Sequence, residues 1–101
     1  MGKIEEHSQL EIERVPIGVR MEKRMIKVLK ALAEYHDITL GDLLEGIVLH
    51  TFENIPPFSE ETLRRIAQLK DVYGMDYDAR ASHQFVEKIR ETRESQEAHK
   101  A

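Results

Sequence analysis

With 101 residues, 41% of them apolar and 34% charged, the chain can form one small domain with a modest core, so a partner subunit is a natural source of further burial. The absence of cysteine excludes a disulfide framework, thiolate metal ligands and a thiol nucleophile. No apolar run reaches membrane length and the opening MGKIEEHSQLEIER lacks the apolar stretch of a signal peptide, so a cytoplasmic location and no membrane partner are expected.

The net charge of −4 conceals an uneven distribution. Residues 1–12 sum to −2, residues 13–30 to +4, residues 31–52 to −4 and the remainder to −2. Arg14, Arg20, Lys23, Arg24, Lys27 and Lys30 face only Glu13 and Glu22 within the positive block. An acidic protein with one short cationic segment carries a local electrostatic footprint that the average hides.

In chain order, residues 1–13 read as a flexible N-terminal arm. From Arg14 to Met21 the pattern alternates: Val15, Ile17, Val19 and Met21 on one side, Arg14, Pro16, Gly18 and Arg20 on the other. Period two with β-branched residues on one face predicts a half-buried strand. One strand cannot satisfy its own hydrogen-bond ladder, and a second copy of the chain is the simplest partner. An amphipathic helix is predicted from about Glu22 to Tyr35, with Met25, Val28, Leu29 and Leu32 at helical spacing. Asp37 suits the left-handed position that follows. Thr39 is a cap for a second helix, Asp42 suits its first turn, and Leu43, Leu44, Ile47, Val48, Thr51 and Phe52 form its stripe.

Asn54-Ile-Pro-Pro-Phe58 breaks the pattern. Ser59 then caps a third helix through Leu63, Ile66, Ala67, Leu69, Val72 and Tyr73, which Gly74 terminates. A fourth helix is predicted with Ala81, Phe85, Val86 and Ile89 on one face. The expected organisation is thus a core over 14–53, a two-helix extension over 54–90 that packs on it through Ile26, Leu40 and Leu49, and a disordered tail over 91–101.

The run from Ile17 to Phe52 resembles the ribbon-helix-helix family of dimeric bacterial and phage repressors. Val19-Arg20-Met21, Lys23 to Tyr35, Asp37, Thr39 and Leu43 to Phe52 fill the family's strand, helix, turn, cap and second helix without a gap, over about a third of the chain. The resemblance implies a mostly helical fold and an obligate homodimer in which two strands pair antiparallel and enter the DNA major groove. By position, base reading falls to Arg20 and Arg14. Phosphate contacts fall to Lys23, Arg24 and Lys27 and to the start of the second helix at Thr39, Leu40 and Gly41. Val15, Ile17, Val19, Met21, Met25, Val28, Leu29, Leu32, Leu43, Leu44, Ile47, Val48 and Phe52 are the implied dimer core. The sequence departs from the family at Pro16 and Gly18, outer-face positions without a hydrogen-bonding side chain, and at Glu22, which stands where a proline often opens the first helix.

The bland alternatives are solvated charges for Lys23 and Arg24 and a surface cross-strand charge for Arg20. No two of His7, His36, His50, His83 and His99 stand at i and i+4, and His83 with Glu87 supplies only two ligands, so no metal or other cofactor is expected. Ser82 and His83 are helical neighbours that diverge, not a dyad, and no enzyme activity is expected. Two functions compete: a DNA-binding transcriptional regulator, and a scaffold or antitoxin-like module whose C-terminal helices dock another protein. The family resemblance favours the first.

Overall fold

The computed structural model describes residues 9–88 and contains three helices, α1 (Lys23–Tyr35), α2 (Leu40–Phe52) and α3 (Glu60–Tyr73), followed by a single 3-10 turn at Ala79–Ala81. Each helix opens on a side-chain cap. The Glu22 carboxylate accepts from the Met25 amide at 3.1 Å, Thr39 Oγ1 from the Asp42 amide at 3.0 Å, and Ser59 Oγ from the Thr62 amide at 3.2 Å. Asp42 in α2 and Glu60 and Glu61 in α3 place negative charge on the positive end of the helix dipole.

All three helices end on the same device. Asp37, Asn54 and Gly74 adopt left-handed backbone angles, with φ of 59°, 59° and 69°. The residue after each turns its amide back to a carbonyl five positions upstream: Ile38 to Ala33 at 3.0 Å, Ile55 to His50 at 2.8 Å and Met75 to Lys70 at 2.9 Å. This closure satisfies carbonyls that the helix itself leaves unpaired. Asp37 and Gly74 fall where the sequence places them. Asn54 stops α2 before the prolines are reached.

The core lies where α1 crosses α2 and α3. Leu32, at 1% exposure, is its centre, with Ala33 and Leu43 beside it, and Leu29, Leu40, Ile47, Phe58, Ile66 and Leu69 pack around them. Arg65 ties α3 to the end of α1: its guanidinium stacks 4.5 Å from the Tyr35 ring centroid and donates to Gln68 Oε1 at 2.8 Å.

Two expectations are corrected. Among the described residues there is no strand, so the ribbon-helix-helix architecture is not what the fold presents. Residues 9–22 run without regular secondary structure and, apart from the half-buried Glu22, are exposed. Alternation specifies which side chains share a face, but a strand needs a ladder, and no other described segment offers one. The fourth helix is also absent from its described part. Asp78 caps only the turn at Ala79–Ala81, and His83, with φ of 64°, turns the backbone out of any helix that could follow. Ile89, the tail over 91–101 and residues 1–8 of the arm lie outside the described residues. Of the extension's two expected helices the first, α3, forms and packs on α1, whereas Leu49, assigned to that contact, is exposed at 63%.

Candidate nucleic-acid interface

The cationic segment folds into two unlike parts. On α1, Lys23, Lys27 and Lys30 recur at i, i+4 and i+7, so they form one stripe that rises about 10 Å along the helix axis. All three are exposed, and among the described residues no carboxylate pairs with any of them. Lys27 Nζ sits 5.9 Å from the centroid of the Tyr73 ring, an aromatic contact that leaves its charge in place.

The arginines are engaged. Arg14 makes a bidentate pair with Glu45 of α2, at 2.8 Å from Nε and 2.7 Å from Nη2, and each group holds the other in its charged form. Arg20 pairs with Glu87. Arg24 donates from Nε to Glu22 at 3.0 Å, and from Nη1 to the Gly74 carbonyl at 3.0 Å and to Asp76 at 3.2 Å. Its guanidinium also lies 5.4 Å from the Tyr77 ring centroid. Pro16 and Gly18, between Arg14 and Arg20, are exposed. A planar fork of donors suits carboxylates, so the arginines find acidic partners while the lysines stay solvated.

Glu22 is the hinge of this arrangement. Besides capping α1 it accepts from the Tyr77 hydroxyl and from Arg24. Burial pushes its carboxyl up, but donation by Tyr77, Arg24 and the Met25 amide prevails and holds it down at about 2. Burial and the bond to Glu22 together push the Tyr77 phenol up to about 12. Tyr77 also meets Phe85 edge-on at 5.3 Å between ring centroids. Beneath this pair an open cleft of about 490 Å³ is lined by Met25, Lys70, Met75, His83 and Phe85 among others.

At the start of α2, the residues assigned to phosphate are occupied differently. Thr39 Oγ1 is spent on the Asp42 amide, Leu40 packs against the core, Gly41 is exposed, and the Asp42 carboxylate already sits in the first turn. A second anion there would meet that charge, so the end of α2 is a weaker anion site than the lysine stripe.

The implied dimer-core residues divide by element. Val28, Leu32 and Leu43 are buried within the chain, and Met25, Leu29, Leu44 and Ile47 are half-buried. Val15, Ile17, Val19, Met21, Val48 and Phe52 are exposed, Ile17 at 80% and Phe52 at 76%. Glu45, Asp76, Tyr77 and Glu87 were not identifiable from the sequence: they meet the cationic segment across 31, 52, 55 and 67 residues, with no local pattern linking them. No helix among the described residues is long and apolar enough to cross a membrane. No protein-family model, curated protein or solved structure matches the chain.

Proposed function

We propose that the chain is a DNA-binding regulator that acts as a homodimer. The observation that carries the reading is the stripe of Lys23, Lys27 and Lys30 on one exposed face of α1, continued by Arg20 and Arg24 in a protein that is otherwise acidic. Phosphates attract such a stripe whatever the base sequence, with counterion release making affinity fall steeply with salt. The homodimer is supported by the exposed apolar side chains Val15, Ile17, Val19, Val48, Leu49 and Phe52, each of which gains about 1.5–3 kcal/mol on full burial. A second copy brings a second stripe, and two stripes on one duplex bind far more tightly than one.

The test is an electrophoretic titration of mixed genomic duplex fragments at low and moderate salt. Wild type is expected to retard the fragments at low salt. Lys23→Ala with Lys27→Ala should weaken all sequences alike and flatten the salt dependence by roughly two phosphate contacts. If wild type binds no duplex at low salt, the regulator reading is lost. A scaffold for protein partners would then take its place, and one observation already favours that second reading: Arg14 and Arg20, the candidate base readers, are both in carboxylate pairs.

A further inference from the structure

The chain that leaves α3 at Gly74 turns back over the start of α1 and lays an ordered series of groups on the cationic face. Tyr73, the last residue of α3, faces Lys27. Gly74 and Asp76 hold Arg24, Tyr77 holds Glu22 and stacks under Arg24, and Glu87 holds Arg20. The left-handed Gly74 directs the chain onto this path, and the Tyr77–Phe85 contact folds the returning segment on itself. Every arginine from 20 to 30 is thereby in contact with residues 74–87, and no lysine of the stripe is ion-paired with them.

The strap's two ion pairs are the contacts built to open, while the Tyr77–Glu22 bond is its anchor. The ion pairs are exposed, with Asp76 at 84%, Glu87 at 74% and Arg20 at 79% of side-chain surface, so water and salt screen each one. The segment carries no buried apolar residue, and the cleft beneath it is open. A polyanion brought to the lysine stripe competes for the same arginines with many phosphates against the strap's two carboxylates, Asp76 and Glu87, and against Glu22, which pairs with Arg24 from outside the strap.

We propose that residues 74–87 are an acidic strap that occupies Arg20 and Arg24 in the free protein and is displaced when a phosphate backbone binds. The strap rests on the DNA-binding reading above and deepens it. It is an intramolecular competitor that sets how much anionic charge is needed before the arginines join the lysines. Any agent that holds the strap down raises that threshold; any that lifts it lowers it.

The experiment uses the full chain and three forms of it: wild type, Asp76→Asn with Glu87→Gln, and a charge-matched control, Glu53→Gln with Glu60→Gln, whose positions are exposed and lie outside the strap. One arm measures affinity for a duplex at low salt. The strap variant should bind roughly 2- to 30-fold tighter than the control, the range that two exposed pairs allow. The second arm needs no DNA: trypsin cleavage after Arg80, timed by mass spectrometry, should be faster in the strap variant than in the control. Faster cleavage with tighter binding supports the strap. Equal cleavage and equal affinity in variant and control overturn it while leaving the DNA-binding reading intact. Faster cleavage with no duplex bound by any form overturns the DNA-binding reading, and with it the strap's role as competitor.

Discussion

Removing one hydroxyl, by Tyr77→Phe, isolates the bond that anchors the returning chain to α1. The ring remains, and with it the edge-on contact to Phe85 and the stacking of Arg24. Only the donation to Glu22 is lost. A hydrogen bond to a charged group contributes about 1.5–3 kcal/mol, more than a neutral one. Here the carboxylate keeps two other donors, the Arg24 Nε at 3.0 Å and the Met25 amide at 3.1 Å, and is 22% exposed, so it is not stranded. The expected loss is therefore about 1 kcal/mol, which for a domain of this size lowers Tm by about 4–8 °C. The loss should also depend on pH. Because the folded-state Glu22 carboxyl titrates at about 2, below its ordinary range, it contributes stability above the ordinary carboxylate pKa and loses it as pH falls towards 2. Tyr77 is displaced the other way, to about 12, so its contribution is whole below its ordinary pKa and is lost as pH rises through 12. The difference in Tm between wild type and Tyr77→Phe, followed by far-ultraviolet circular dichroism, should thus be flat across neutral pH and shrink towards both ends. A difference of under 1 °C at pH 7, or one that stays constant down to pH 2, would refute the assigned bond.

Three further outcomes follow from the core and the helix ends. Leu32→Ala, at the most buried position, should cost about 2–5 kcal/mol and leave little folded protein at 37 °C, as read by denaturant titration; a loss below 1 kcal/mol would place the core elsewhere. Asn54→Gly should raise Tm by a few degrees, because glycine takes the left-handed angle of 59° without the steric cost an Asn side chain meets, and a lower Tm would show that the Asn54 side chain matters more than its backbone. Under the homodimer proposal Tm should rise with protein concentration and Val19→Asp, at an exposed apolar position, should weaken association, whereas sedimentation of folded wild type as a monomer at micromolar concentration would end that proposal.

What could be read from the sequence is what local chemistry decides. Thr39 and Ser59 cap because a hydroxyl before an apolar-periodic run has an amide to accept from, and Asp37 and Gly74 stop helices because they tolerate left-handed backbone. Asn54 was obscured by the prolines after it: either stop signal accounts for the end of α2, and only the 2.8 Å bond from Ile55 to His50 shows which one acts. The fourth helix failed for the opposite reason. Ala81, Phe85 and Val86 have helical spacing, but Asp78 spends its side chain on a single turn and His83 reverses the backbone sign, and neither event leaves a trace in the periodicity. The alternation of Val15, Ile17, Val19 and Met21 defined a face and could not define a partner.

The candidate site shows the same limit in electrostatic form. Counting charge located the positive block, but how much of it stays open depends on acidic residues 31 to 67 positions away. Side-chain chemistry sorts the outcome. A guanidinium presents a planar fork that carboxylates fit in two places, as Glu45 fits Arg14, whereas an ammonium is a strongly hydrated point charge that gains less from leaving water. Within residues 13–30 the cations without a carboxylate partner among the described residues are therefore lysines, which attract phosphate but lack the planar fork of a guanidinium. Under the DNA-binding proposal a face of this kind engages a duplex first by charge alone. On the same proposal Arg14 and Arg20 are the candidate base readers, Pro16 and Gly18 between them having no side-chain donor, and neither guanidinium is free until Glu45 and Glu87 let go. Under that proposal, release of the arginines, more than their presence in the sequence, governs whether binding becomes selective.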